Sequence, residues 1–246
     1  MLNLFFLLSS ICHPVLAQSN PPSAIEQPAP EICYFLPPAG WEIAQPKNLS
    51  HHVQVGFLGK GSGDFRPSIN IAFEEVDVPL KEYVKAVKKI QTAQPNTQWR
   101  DLGKFPMKAG AGRLTEITTT TAWGEIKMLQ ALFVKNGMAY ILTGAVLKQD
   151  LPKFQTDLLN SFRSLTLVPH LFSPLPENSR TADFLKLFSS LGHFSSDEDA
   201  ERAQKQQWDS LQKAVQNVSE MGPYWDYLVL KEGHAKIYSS APSSNR

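Results

Sequence analysis

Residues 125–146 read EIKMLQALFVKNGMAYILTGAV, in which two runs of mostly aliphatic and aromatic side chains flank Asn136-Gly137. Asn-Gly favours a type I′ turn, because both central positions of that turn need positive φ and these residues adopt it readily. A type I′ turn joins two antiparallel strands through a two-residue loop. The stretch therefore predicts a β-hairpin within an antiparallel sheet.

Further extended patterns, separated by turn residues, lie on both sides of this hairpin. They predict strands at 33–36, 53–58, 68–76, 114–121 and 165–168. Two amphipathic helices interrupt the strands. The first opens at Pro79, and the second has Asp150 as its expected N-cap with Pro152 in its first turn. The pattern indicates an α+β fold, an antiparallel β-sheet flanked by helices, over residues 33–168.

The chain changes character after residue 168. Residues 169–179 contain three prolines and no periodicity, which is typical of a linker. Residues 180–246 predict a helical C-terminal extension. Its first helix ends at Gly192, and its second runs from the capping box of Ser195 and Glu198 to about residue 221, where Gly222-Pro223 stops it.

The second helix of the extension carries a narrow apolar seam at spacings of three and four residues. The seam consists of Trp208, Leu211, Val215 and Val218. Because nucleation is costly, so narrow a seam cannot stabilise a lone helix, and it must dock on its own domain or hold a partner. We expect docking, with Trp208 buried and with Tyr224, Trp225 and Tyr227 as the more accessible aromatic surface.

The N-terminus predicts export. Residues 2–11 form an apolar run shorter than the roughly 18 residues that span a bilayer, and Val15 and Ala17 fit a cleavage site. We expect a signal peptide over residues 1–17 and a flexible segment over 18–32, in a periplasmic or secreted protein. The alternative is lipidation of Cys12, although bulky Ile11 precedes it.

Charge and cysteine content narrow the class of protein. The positive charges of 24 Lys and Arg residues nearly cancel the negative charges of 23 Asp and Glu residues. The protein therefore lacks the positive electrostatic field that favours binding of nucleic acid. Cleavage after Ala17 removes Cys12 and leaves Cys33 without an intramolecular partner. Because Cys33 lies in an apolar run, we interpret it as a buried core residue rather than a nucleophile.

Two patterns suggest ligand binding and fail on spacing. The Gly-rich loop 59–63 lacks the phosphate-loop motifs, and it joins strand to strand instead of strand to helix. His51 and His52 are adjacent, so on a strand they point to opposite faces, and His170, His193 and His234 are isolated. We therefore predict neither a phosphate site nor a metal site.

Candidate catalytic groups fail in the same way. Ser189 and Ser190 near His193 lack a nucleophile elbow, and Glu74 and Glu75 alternate across a strand. The run 118–121 of threonines is interpreted as an exposed strand. No catalytic, metal-binding or cofactor-binding residue, and no cofactor, is predicted.

Two short motifs bracket the predicted sheet domain. The entry motif consists of Phe35, Pro37, Pro38, Gly40 and Trp41. The motif that ends the second helix consists of Leu158, Leu159, Ser161, Phe162 and Ser164. With the order of the elements, these motifs make residues 33–168 resemble the PsbP-like fold that DcrB-type envelope proteins share. The resemblance implies an α/β/α sandwich used mostly as a non-catalytic binding or assembly module, and it carries no functional residue onto this chain.

The leading interpretation is an exported, non-enzymatic interaction or assembly protein whose partner is another envelope protein. The first alternative is a carrier that holds a small apolar ligand between sheet and helices. The second is a hydrolase whose site the sequence does not reveal. We treat the protein as a monomer without a transmembrane helix after signal removal.

Cleavage after Ala17 predicts a mature chain that begins at Gln18 and carries no lipid. N-terminal sequencing and intact-mass measurement of the exported protein check this. A first residue of Met1, or the added mass of a diacylglycerol group, contradicts it.

Overall fold

The structure, a computed structural model, describes residues 31–50, 52–192, 198–218 and 221–238. The predicted signal peptide and Ser195 of the capping box lie outside these residues. The chain divides into two units, which are described separately below. One comprises Pro37–Leu167, and the other comprises Glu31–Leu36 with Val168–Arg246. The sequence-based boundary, which assigns 33–36 to the sheet domain, stays a prediction.

The described residues form two sheets. The strands are β1 (Ile32–Tyr34), β2 (Glu42–Ile43), β3 (Val53–Leu58), β4 (Ser68–Glu75), β5 (Thr97–Met107), β6 (Gly110–Thr121), β7 (Gly124–Lys135), β8 (Met138–Leu147) and β9 (Thr166–Val168). Strands β2 to β8 form an antiparallel sheet in the order β2-β3-β4-β8-β7-β6-β5. Strands β1 and β9 form a separate two-stranded sheet.

The predicted hairpin is confirmed. Lys135 of β7 pairs with Met138 of β8, so the loop has two residues. Asn136 has a φ of 51° and Gly137 a φ of 75°, as a type I′ turn requires. Register then continues without a shift to Ile126 opposite Leu147.

Helices cover both faces of the large sheet. Helix α1 (Leu80–Thr92) packs Val84 and Val87 against Leu132 and Ile141. Helix α2 (Leu151–Arg163) brings Leu158 against Gly144. Ile141 and Gly144 lie three positions apart on β8, so they point to opposite faces. The predicted α+β fold, with helices flanking an antiparallel sheet, is confirmed.

Strand β5 was missing from the sequence prediction, and it occupies one end of the sheet order. Its register with β6 shifts between Asp101 and Gly103, and the intervening Leu102 is exposed. Pro106 lies near its end. Charges, a bulge and a proline break the alternation that identifies a strand in sequence.

Asp150 occupies the N-cap position of α2, as the sequence predicted, but not by the usual capping hydrogen bond. It lies in the 3₁₀ turn Lys148–Asp150, and its side chain makes no capping hydrogen bond to α2. Its carboxylate accepts a hydrogen bond from Ser62 Oγ, at 2.9 and 2.8 Å from the two oxygens. The long-range bond to the Gly-rich loop replaces the local cap. A second 3₁₀ turn, Pro46–Asn48, precedes β3.

The C-terminal unit contains helices α3 (Ser179–Ser190), α4 (Glu198–Val218) and α5 (Pro223–Tyr238). Asn178 caps α3 by accepting a hydrogen bond from the Thr181 amide at 2.9 Å. Leu191, in an extended conformation, is the C-cap of α3, in place of the predicted Gly192. None of the helices in the described ranges has the length and apolarity to cross a membrane.

The sequence pattern does not predict helix α5, because Gly222-Pro223 indicates only the end of the preceding helix. Gly222 has a φ of 86°, and Pro223 is the first residue of α5. Proline fits there because its fixed φ suits a helix start and the first amide needs no acceptor.

The predicted seam of α4 is covered by its own unit. Leu211, Val215 and Val218 are buried in a cluster with Phe184 of α3 and Val229 of α5. Trp208, by contrast, is only partly buried at the border of the cluster. Docking therefore takes place between C-terminal helices, which stabilise one another by burying apolar surface.

Gly144→Ala tests the close approach of α2 to the sheet. A Cβ at this position would lie 2.7 Å from Leu158 Cδ2 and 3.2 Å from its Cγ, with Leu158 fully buried. We expect a loss of about 1–3 kcal/mol in the free energy of unfolding, measured by chemical denaturation. Gly63→Ala is the control, because a Cβ there meets nothing within 4 Å. Equal stabilities of the two variants contradict the packing.

Candidate functional site

Three ring side chains meet at the surface of the C-terminal unit. Trp208 of α4 lies with its ring centroid 5.5 Å from that of His234 and 6.5 Å from that of Tyr238, both on α5. The His234 and Tyr238 rings are 4.6 Å apart. We call these three residues the aromatic patch. His234 is exposed and Tyr238 is 39% exposed, whereas Trp208 is partly buried.

The packing of α4 against α5 positions the aromatic patch. Gly233 is buried in contact with Leu211, so the two helices approach closely where α5 has no side chain. Ile237, four positions further along α5, is fully buried. His234 and Tyr238 each follow one of these buried positions by one residue. The two side chains therefore stack along the border between the buried and the exposed side of α5.

The aromatic residues that sequence analysis expected to be accessible are mostly buried. Tyr224 is 1% exposed and Trp225 is fully buried, while Tyr227 is partly buried. The Tyr224 ring packs 5.2 Å from Phe35. Trp225 donates its indole N–H to the Leu171 carbonyl at 2.9 Å. Tyr224 and Trp225 lie in the first turn of α5, and this turn packs into the apolar core of the C-terminal unit.

Burial makes the two strongly perturbed groups of this unit unreactive. Desolvation raises the pKa of the Cys33 thiol far above its ordinary value, and Cys33 is 4% exposed. Desolvation also raises the pKa of Tyr224. Both shifts favour the neutral form, so neither group supplies a thiolate or phenolate. The interpretation of Cys33 as a core residue agrees with its position.

The Gly-rich loop joins β3 to β4, as predicted, and its contacts disfavour an anion. Ser62 donates to the Asp150 carboxylate, which would repel a phosphate. A Cβ at Gly59 would lie 2.6 Å from the Trp41 ring, and one at Gly61 would collide with the Phe65 carbonyl. These two glycines permit close packing of the loop rather than access to a ligand.

The histidines form no metal centre in the part of the chain that the structure describes. No cluster of three or more His, Cys, Asp or Glu side chains there could hold an ion. His51 and His193 lie outside the described residues. His170 is exposed in a turn, and His234 belongs to the aromatic patch.

The remaining candidate groups have structural contacts. Ser189 and Ser190 donate to helix carbonyls of Leu185 and Leu187 at 2.8 and 2.7 Å. Both hydroxyl protons are therefore used in hydrogen bonds within the helix. Within the threonine run, Thr118 is 7% exposed, so the run is only partly on the surface.

The two adjacent glutamates behave as predicted. Glu74 accepts a hydrogen bond from Tyr83 at 2.7 Å, and Glu75 is exposed. Their opposite partners in β8 are Ala139 and Met138, so the two carboxylates lie on opposite faces.

No protein-family model matches the sequence, and no curated protein matches it. Among solved structures, the chain is similar to LpqN, involved in cell envelope biogenesis of Mycobacterium tuberculosis, with 10% identity and a TM-score of 0.45 over 58% of this chain and 87% of LpqN. It is similar to cyanobacterial PsbP from Synechocystis, with 14% identity and a TM-score of 0.39 over 63% of this chain and 96% of PsbP.

A third similar structure is the Ran-binding protein Mog1p of Saccharomyces cerevisiae, with 16% identity and a TM-score of 0.40 over 55% of this chain and 90% of Mog1p. All three are weak resemblances, at 16% identity or less and with TM-scores of 0.45 or less. Likeness at this level carries no activity from those proteins to this chain.

Trp225→Ala and Tyr238→Ala separate structural from surface aromatic residues. We expect Trp225→Ala to lower the free energy of unfolding by about 3–5 kcal/mol, because it empties a fully buried site. Tyr238→Ala should change it by within about 0.5 kcal/mol. Urea unfolding followed by far-UV circular dichroism measures both. Equal losses contradict the assignment of Tyr238 to the surface.

Proposed function

We propose that the protein is an exported, non-enzymatic interaction protein that binds another envelope protein through the aromatic patch of its C-terminal helices. The single observation that carries this proposal is the cluster of Trp208, His234 and Tyr238 at the surface of a helical unit with its own core. The sheet unit is then the scaffold of the molecule.

The chemistry of the aromatic patch suits a protein partner. Trp and Tyr dominate binding hot spots, because each combines a large apolar surface with a polar tip and loses little side-chain entropy. Trp208 is already held by His234 and by the core of its unit. It is therefore preorganised, which lowers the entropic cost of association.

The partner surface that fits is an apolar pocket with acceptors at its rim. Tyr238 and His234 can place their rings in such a pocket and donate hydrogen bonds from its edge. One turn from Trp208, Lys205 makes an ion pair with Asp209 at 2.7 Å. Lys205 has a raised pKa, chiefly through this hydrogen bond, so it stays charged beside the patch. Charged groups at the border of an interface contribute more to the choice of partner than to the affinity.

Affinity capture of the mature protein from envelope extracts, with mass spectrometry, identifies candidate partners. The decisive measurement uses one recurrent partner, purified, and compares its affinity for the parent and for Tyr238→Ser and His234→Ala. We expect each substitution to weaken binding at least tenfold, which corresponds to about 1.4 kcal/mol. Circular dichroism should show that the helical content is unchanged.

Leu102→Ser is the matched control. Leu102 and Tyr238 are equally exposed, at 39%, but Leu102 lies on β5 of the sheet unit. If Leu102→Ser weakens binding while Tyr238→Ser does not, the sheet unit is the binding element and the proposal is wrong.

A further inference from the structure

Four polar side chains form one row across the interior of the large sheet. Asn70 of β4 pairs with Thr143 of β8, Thr143 with Gln130 of β7, and Gln130 with Thr115 of β6. Cross-strand partners point to the same face, so the four side chains lie side by side. We call them the polar row. Three spacings of about 4.8 Å make it about 14 Å long. The exposed fraction of each member is between 0% and 3%.

Apolar rows border the polar row on both sides. The row on one side contains Ala72, Ile141 and Leu132, which belong to the cluster under α1. The row on the other side contains Ala145, Met128 and Ile117, which belong to a second apolar cluster. A hydrophobic sheet face is thus interrupted at mid-length by four amide and hydroxyl groups. Apolar burial alone does not explain their presence, because each pays a desolvation penalty.

Several polar atoms of this region lack a hydrogen-bond partner among the described residues. Within the polar row these are Asn70 Nδ2, Thr115 Oγ1 and Gln130 Oε1. Gln130 uses its other atom, Nε2, to donate to Thr143 Oγ1 at 3.1 Å. An amide flip at Gln130 would only exchange an orphaned oxygen for an orphaned nitrogen.

Two further orphaned atoms lie next to the polar row. Ser68 Oγ is on β4, two residues before Asn70, and therefore on the same face. Trp99 Nε1 belongs to a ring that packs against both bordering clusters. Five buried polar atoms in one region have no hydrogen-bond partner in the part of the chain that the structure describes. This is unusual, because native interiors satisfy nearly all such groups.

The chemistry of these atoms defines the ligand that would satisfy them. Asn70 and Trp99 offer N–H donors, Gln130 offers a carbonyl acceptor, and Ser68 and Thr115 offer hydroxyls that do both. The polar row contains no charged side chain. A ligand must therefore be uncharged and must both donate and accept, which is the chemistry of water and of small hydroxylic molecules.

From this we infer that the polar row is an internal binding site for small uncharged hydroxylic molecules, on the face of the sheet that α1 covers and between the two bordering apolar rows. The inference goes beyond the proposed interaction function and is independent of it. It also differs from the carrier alternative, because the polar row matches a polar ligand, whereas the carrier alternative holds an apolar one.

A high-resolution crystal structure of the full chain tests the site directly. We expect ordered density within hydrogen-bond distance of Asn70 Nδ2, Gln130 Oε1 and Thr115 Oγ1. Native mass spectrometry of the same preparation distinguishes the sources. Where the crystal shows this density, a mass equal to the chain alone identifies the occupants as water, and a discrete added mass identifies an organic hydroxylic ligand.

The sign of one stability change gives a second test. Thr115→Val removes a hydroxyl with little change of shape. If an occupant bonds that hydroxyl, the urea midpoint falls, because the occupant loses a partner. If the site is dry, the midpoint stays level or rises, because an orphaned polar group has been removed. Thr120→Val, at an exposed position of the same strand, controls for the β propensity of valine. A dry polar row in the crystal, or a midpoint at or above that of the parent after correction by this control, overturns the inference.

Discussion

The register of β7 against β8 is the constraint on which the rest of the sheet unit depends. Both strands are buried on both faces over most of their length, and the two-residue turn at Asn136-Gly137 fixes which residues lie opposite. A slip of one residue would move every side chain to the other face. If β8 slipped, Ile141 would leave α1, and Gly144 would no longer admit Leu158 of α2. The positive φ of the turn residues therefore maintains the packing of both helices.

Much of this architecture could be predicted from local pattern, and the failures have physical causes. The hairpin and the first two helices depend on neighbours within one or two turns, so their signals survive in sequence. Sequence pattern does not reveal β5, because an edge strand that is largely exposed tolerates charges and a bulge. These features remove the alternation of apolar and polar residues that identifies a strand. Local pattern predicts Asp150 at the N-cap, but it cannot predict the hydrogen bond of its carboxylate to Ser62, which is 88 positions away. A contact between residues so far apart in the sequence produces no pattern in the residues around either of them.

The candidate site was less accessible to sequence analysis than the fold. Missing α5 made Tyr224 and Trp225 candidates for the surface, whereas a helix starting at Pro223 turns them toward Phe35 and Leu171. The aromatic patch joins residues of two helices that only tertiary packing brings together. None of its residues is identifiable from the sequence, because a single His or Tyr on a helix forms no repeating pattern with its neighbours. The polar row likewise requires the register of four strands before its members become neighbours.

Strand β5 has a further consequence, for the behaviour of the protein in concentrated solution. An edge strand of eleven residues would offer a long template for a second sheet, and pairing of such edges is a common route to aggregation. The bulge at Asp101 and Gly103 twists this edge, the Pro106 nitrogen has no hydrogen to donate, and Lys104 would be buried by an incoming strand. The same irregularities that hide β5 in the sequence therefore oppose pairing of a second sheet at this edge.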